Sequence, residues 1–146
     1  MIFPEKFLLA GRIAVVTGGA GLIGEAVCRI LAEAGAKVFI ADTNKESGEK
    51  LGSDIKKDGF DADFIKLDIT NQSSIKRAVS KIIKKYGKID IWVNNAYPRT
   101  LDWGNKFEDI KADSLRKNVD MHMNGYFMCC QNVLEEMKKN KKGVLI

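Results

Sequence analysis

The chain has 146 residues, 45% hydrophobic and 29% charged, the size and balance of one folded domain rather than of a disordered or fibrous protein. Its net charge of +5 owes four units to Lys138, Lys139, Lys141 and Lys142; cations there complement the dipole of a helix C-terminus, so no nucleic-acid partner is expected. No apolar run is long enough to span a bilayer, and the N-terminal MIFPEKFLLAGR lacks the basic-then-apolar order of a secretion signal.

The three cysteines, Cys28, Cys129 and Cys130, lie among apolar neighbours without a Cys-x-x-Cys pair. They read as buried thiols in a reducing compartment, which argues against a disulfide framework or a metal site; with no spanning segment or signal, a cytoplasmic protein without a membrane partner is expected.

The first predicted element is a strand over Arg12–Thr17, continuously apolar at its centre as befits a strand covered on both faces. A helix follows from Leu22 to Ala34, with Ile23, Ala26, Val27, Ile30, Leu31 and Ala34 at helical spacing and Gly35 as a left-handed stop. Lys37–Ala41 forms a second strand, Asn44–Lys57 a polar surface helix closed by Gly59, and Ala62–Leu67 a third strand. Thr70 or Asn71 caps the next helix, whose Ile75, Val79, Ile82 and Ile83 share a face and whose end is Gly87.

A fourth strand, Ile89–Asn94, leads into the turn-rich YPRTLDWGN. A long helix is expected from Asp113 to Lys139, with Leu115, Val119, His122, Met123, Tyr126, Phe127, Cys130, Leu134 and Met137 facing inward. Gly143–Ile146 opens a fifth strand, and the sequence stops there.

Strand–helix alternation with short connections requires a parallel sheet, because parallel neighbours need crossovers and these are helical. Right-handed crossovers wind it into a doubly wound, Rossmann-like α/β fold. The expected strand order is 3-2-1-4-5, in a single domain over residues 1–146 truncated after the fifth strand. A fifth strand without a following helix would be an open apolar edge, so marginal stability or aggregation is expected of the isolated chain.

The segment Thr17-Gly18-Gly19-Ala20-Gly21-Leu22-Ile23-Gly24 places Gly19-x-Gly21-x-x-Gly24 between a predicted strand and a predicted helix. Such glycines permit a tight turn, a close approach of backbone to a pyrophosphate, and close helix–strand packing. The helix N-terminus then offers N–H groups and partial positive charge to the phosphates. A purely structural turn is the competing reading. Asp42 lies 18 positions beyond Gly24, where an acid meets the ribose hydroxyls of an adenosine; alone, it reads equally well as a helix cap. Together, loop and acid favour dinucleotide binding. A carboxylate there repels a 2′-phosphate, and Thr43 brings no compensating charge, so NAD is preferred over NADP.

At this point the chain resembles the short-chain dehydrogenase/reductase family along essentially its whole length. Four features carry the likeness: TGGAGLIG, Asp42, the pair Asp68-Ile69, and Asn94-Asn95-Ala96. The resemblance implies that Gly18, Gly19, Gly21, Leu22, Ile23 and Gly24 bind the cofactor with Asp42 and Thr43. It further implies that Asp68 and Ile69 hold the adenine, and that Asn95 and Ala96 line the nucleotide and ribose. Asp68 as a helix cap and Asn94-Asn95 as a polar turn are the plainer alternatives.

Departures from the family pattern are informative. Leu22 stands where the short-type loop has its middle glycine, so the spacing matches the extended, nucleotide-sugar branch, whereas NNA belongs to the short type. Tyr97-Pro98-Arg99 replaces the glycine that normally follows NNA. TGGAGLIG with NNAYPR is similar to dehydrogenases of bacterial surface-sugar and flagellin-modification pathways. The family's catalytic Asn, aligned on Gly125, corresponds to His122; Asn118, one turn earlier, is the alternative catalytic candidate, and His122 also reads as a helix-packing histidine. Tyr86, Tyr97 and Tyr126 are followed four positions later by Asp90, Leu101 and Cys130, so the family's Tyr-x-x-x-Lys pair is missing, as is its Ser.

The resemblance therefore implies an NAD-dependent oxidoreductase, acting on a small hydroxyl or carbonyl substrate such as a sugar derivative. It is present as a fragment expected to be inactive alone, and as a homo-oligomer in its full-length form. A non-catalytic dinucleotide-binding module and a nucleotide-sugar epimerase or dehydratase are the alternatives.

Overall fold

The computed structural model describes residues 4–146, so the first three residues of the N-terminal segment discussed above lie outside the described residues. Five parallel strands stand in the order β3-β2-β1-β4-β5: β1 (Ile13–Thr17), β2 (Lys37–Asp42), β3 (Ala62–Lys66), β4 (Ile91–Val93) and β5 (Val144–Leu145). This is the α/β parallel sheet expected from the alternation of elements. The helices between them are α1 (Leu22–Glu33), α2 (Lys45–Lys57), α3 (Gln72–Tyr86), α4 (Ala112–Val119) and α5 (Gly125–Lys139). Val15 is the register centre, opposite Phe39 on one side and Trp92 on the other.

All five residues of β1 are buried, and their alternation divides the core. Ala14 and Val16 pack with Cys28, Ala32, Val38, Ile40, Leu51 and Ile55 beneath α1 and α2. Ile13 and Val15 pack with Phe39, Ile75, Val79, Ile82, Trp92, Cys129 and Val133 beneath α3 and α5. Burying large aliphatic side chains on both sheet faces contributes about 1.5–3 kcal/mol per side chain relative to exposure.

Asn71, not Thr70, caps α3, its side chain accepting the Ser74 N–H, and Gly35 and Gly87 follow α1 and α3 with positive φ. Because β1 pairs with both β2 and β4, the sheet reverses its winding direction beside β1. A crevice opens at that switch point, outside the carboxyl ends of the strands.

Three expectations need correction. The fourth strand is three residues long, not six: at its start the Ile13 N–H is taken by the Asp90 carboxylate (2.8 Å), while past its end the Asn94 N–H still donates to the Ile146 carbonyl (2.8 Å). The long helix is interrupted by one π turn at Asp120–Asn124. Its inward face is Asn118, Gly125, Cys129, Val133 and Met137, while Leu115, Val119, Met123, Phe127 and Leu134 are exposed.

The same displacement affects α1. Gly24, Cys28 and Ala32 face the sheet, and Ile23 and Ile30 face outward. Of the three thiols, Cys28 and Cys129 are buried and Cys130 is half-buried. Burial pushes the first two up to about 12, which removes thiolate chemistry at neutral pH. No helix among the described residues is long and apolar enough to cross a membrane.

Candidate functional site: the cleft at the carboxyl end of β1

A cleft of about 660 Å³ is lined by Gly18, Gly21, Leu22, Ile23, Gly24, Asp42, Thr43, Leu67, Asp68, Ile69, Asn95, Ala96, Tyr97, Pro98 and Arg99. Every proposed cofactor-binding residue except Gly19 is therefore brought to one place. Gly19 lies beneath the cleft, where an added Cβ would sit 2.8 Å from the Val16 carbonyl and 3.2 Å from the Cys28 sulfur. Its smallness serves the packing of α1 on the sheet.

The turn from β1 into α1 is shaped by backbone proximity. Gly18 has φ +62°, and a Cβ on it would meet the Ala96 Cα at 2.7 Å; both facts demand glycine. At Gly24 a Cβ would stand 2.1 Å from the Gly18 carbonyl oxygen. Gly21 differs, because its nearest neighbour would be the Gly18 oxygen at 3.3 Å with nothing else within 4 Å. It is open space on the wall of the cleft.

Gly21 is the N-cap of α1 and brings no side chain to the helix end, and the first intrahelical bond runs from the Glu25 N–H to its carbonyl (2.8 Å). The N–H groups of Leu22, Ile23 and Gly24 thus have no protein acceptor among the described residues. An anion seated in the cleft would satisfy them and meet the positive end of the helix dipole. The open space at Gly21 and these free donors fit a diphosphate.

Asp42 ends β2 with its carboxylate partly committed: Oδ2 accepts the Ala20 N–H (3.0 Å) and Oδ1 the Asn44 N–H (2.9 Å). The cap of α2 is Asn44, not Asp42; Asp42 instead holds the turn before that helix and lines the cleft. Asp68 is similar, with Oδ1 accepting from the Thr70 N–H (2.9 Å) and hydroxyl (2.7 Å). Each carboxylate retains lone pairs beyond these bonds.

Thr17 and Asn95 join the two sides. The Thr17 hydroxyl donates to the Val93 carbonyl (3.2 Å) and accepts the N–H groups of Asn95 (2.9 Å) and Ala96 (3.1 Å). The Asn95 side-chain amide donates to the carbonyls of Thr17 (3.0 Å) and Gly18 (3.1 Å). On the helix side the Tyr126 hydroxyl donates to the Ala96 carbonyl (2.6 Å). Burial, with Cys129 and Tyr97 nearby, raises that phenol above its ordinary value. Thr17 and Tyr126 are functional neighbours that sequence reading missed; Thr17 stands inside the quoted TGG motif, and Tyr126 carried only a packing signal.

Asn118 and His122 lie outside the cleft lining and hold the loop whose residues 97–99 form part of it. Asn118 is 1% exposed. Its Oδ1 accepts the Thr100 N–H (3.0 Å), and its Nδ2 donates to the Thr100 hydroxyl and the Ser114 carbonyl (2.7 Å each). His122 Nε2 donates to the Pro98 carbonyl at 2.6 Å, since a carbonyl only accepts. That ring stacks on Tyr97 with centroids 4.4 Å apart, and the Trp103 indole N–H donates to the Tyr97 hydroxyl (2.7 Å). The π turn that carries His122 is a feature frequent at functional sites.

Comparison with known proteins matches this arrangement. The sequence model described as short chain dehydrogenase fits residues 12–146. An uncharacterized oxidoreductase of Thermotoga maritima is 32% identical over 139 residues, 95% of this chain and 53% of that protein. The sorbose reductase SOU1 of Candida albicans is 36% identical over 142 residues, 97% of this chain and 50% of its own.

Among solved structures, that of gox2181 superposes with a TM-score of 0.88 at 38% identity, covering 97% of this chain and 54% of that one. A gluconate 5-dehydrogenase from Burkholderia cenocepacia J2315 in complex with NADP and tartrate gives 0.82 at 30% identity, covering 97% and 54%. The chain spans about half the length of the curated relatives it matches. Over that span sequence and fold agree, and the chain belongs to the short-chain dehydrogenase family of oxidoreductases.

Proposed function

We propose that the cleft binds a nicotinamide dinucleotide, NAD in preference to NADP, and that the chain is the cofactor-binding part of an oxidoreductase acting on a small hydroxyl or carbonyl compound. One observation carries this reading: the unpartnered amides of Leu22, Ile23 and Gly24 and the Asp42 carboxylate line the same cleft, across the open space at Gly21.

Those amides hold the diphosphate. Asp42 accepts hydrogen bonds from the adenosine ribose hydroxyls, and its negative charge opposes a 2′-phosphate. Asp68 and Ile69 border the adenine, and Asn95 and Ala96 the ribose. When bound, the nicotinamide supplies hydride acceptance or donation. Asn118 acts on this site by positioning the loop that lines it, since each of its polar atoms is engaged. His122 holds Pro98 through Nε2 and so positions the same loop. A sugar derivative as substrate is consistent with the sorbose and gluconate activities named for two of the similar proteins.

Calorimetric titration of the chain with NAD and with NADP tests the proposal. NAD binds more tightly, and Asp42→Ala weakens NAD by about tenfold, the loss of a charge-assisted hydrogen-bond pair, while leaving NADP unchanged or improved. Equal losses for both cofactors would refute the role of Asp42; no saturable binding of either would refute the cleft as a dinucleotide site.

A further inference from the structure

Arg99 lines both the dinucleotide cleft and a second cavity, of about 480 Å³, formed with Thr100, Leu101, Asp102, Lys111, Ser114, Lys117 and Met121. No other residue is common to the two linings. Arg99 therefore marks the place where the cofactor cleft opens toward a neighbouring compartment.

The backbone on either side of Arg99 is fixed. Pro98 is held by His122 (2.6 Å) and Thr100 by the buried Asn118 at two atoms (3.0 and 2.7 Å). The guanidinium itself has no hydrogen bond or ion pair among the described residues, and neither has the ammonium of Lys111 or of Lys117. The neighbouring Arg116, by contrast, is paired with Asp113 (2.7 Å).

The cavity's acid, Asp102, is committed elsewhere. Hydrogen bonds from the Thr100 and Ser114 hydroxyls, followed by the Lys111 N–H, hold its carboxyl down to about 2. Three cations thus share this cavity with one carboxylate, which accepts the Lys111 N–H (3.3 Å). Anchored backbone with an unspent planar fork of donors is the arrangement that recognises a carboxylate or a phosphate by two parallel hydrogen bonds.

We propose that Arg99, supported by Lys117 and Lys111, recognises an anionic group on the substrate, making the substrate a hydroxyl or carbonyl compound that bears a carboxylate or phosphate away from its reacting carbon. This rests on the cleft being the cofactor site, as proposed above.

The test uses the ¹⁵N-labelled chain, with and without NAD, titrated with gluconate, with glucose 6-phosphate and with the uncharged sorbitol, following the Arg99 side-chain Nε–H resonance and the backbone amides of residues 99–117. The expected result is a saturable shift with one or both anions and none with sorbitol, the preferred anion distinguishing carboxylate from phosphate. Arg99→Gln weakens that binding about tenfold on backbone amides, whereas Lys117→Gln, which lies outside the dinucleotide cleft, weakens it less and leaves NAD affinity within twofold.

Absence of anion binding, equal binding by sorbitol, or Arg99→Gln leaving the anion affinity unchanged would overturn the proposal. So would an Arg99→Gln loss that falls on NAD and spares the anion, which would make Arg99 a diphosphate contact. Saturable, Arg99-dependent anion binding without any NAD binding would uphold the anion site while refuting the cofactor reading, so the two fail separately.

Discussion

Replacing Gly24 by alanine separates two uses of glycine within one loop. The new methyl would lie 2.1 Å from the Gly18 carbonyl oxygen, 2.8 Å from the Gly19 Cα and 2.9 Å from the Asn95 amide nitrogen. Two of these neighbours are backbone, so relief requires α1 to move off the turn, and overpacking of this kind costs about 1–3 kcal/mol. Alanine's better helix propensity returns up to about 1 kcal/mol, and the severity of the clash puts the net loss near 2 kcal/mol. For a domain of this size that corresponds to a melting temperature lower by about 6 °C. NAD binding falls with it, since the displaced amides are those proposed to hold the diphosphate.

Gly21→Ala provides the contrast. Its methyl meets the Gly18 oxygen at 3.3 Å and otherwise open space, and the N-cap change costs about 0.5 kcal/mol, or roughly 2 °C. It fills the cradle, so NAD binding is lost from a chain that remains nearly as stable. Thermal melts by circular dichroism, paired with NAD calorimetry, read both effects. A Gly24→Ala melt indistinguishable from the parent, or a Gly21→Ala chain that binds NAD normally, would refute the packing argument and the cradle argument respectively.

Asn118→Ala leaves the Thr100 N–H and hydroxyl without their buried partner and costs about 1–3 kcal/mol; urea melts show it, and hydrogen exchange of residues 98–103 accelerates. Asp90 is held below its ordinary 3.8 despite burial, by the Ile13 N–H and by Lys88 and Arg12. Its contribution is therefore full above about pH 4 and fades as the pH falls through the lowered value. The stability difference between the parent and Asp90→Asn accordingly narrows below pH 4, and a difference constant down to pH 2 would contradict this. Thiol labelling of the native chain at pH 8 should modify Cys130 ahead of Cys28 and Cys129, as peptide mapping would show; rapid labelling of all three would contradict the burial of the latter two.

The strand order was readable because continuous β-branched runs joined by helical crossovers leave few ways to stack, and right-handedness removes most of those. The cleft was readable because TGGAGLIG, Asp42, Asp68 and NNA each stand at the carboxyl end of a strand, and a parallel sheet gathers such ends together. The helix faces were not. In α1 the face that meets the sheet is Gly24, Cys28 and Ala32, since close approach favours small side chains, whereas hydrophobic spacing gives weight to Ile23 and Ile30 on the flank.

In the long helix two apolar stripes compete, and the π turn at Asp120–Asn124 breaks the constant 3.6-residue period on which choosing between them depends. The roles of Asn118 and His122 were hidden for a related reason. Both bind backbone atoms of the 98–100 loop, and no local pattern records a partner 18 or more residues away.

The Thr17 hydroxyl and the Asn95 amide together make five hydrogen bonds that bind the end of β1 to the segment leaving β4. These two stretches, far apart along the chain, behave as one inheritable module. A chimera that imports residues 17–24 from a relative without residues 94–96 would bring together two halves cut to different templates. Recombination within such enzymes should succeed when its crossover points keep both segments from the same parent.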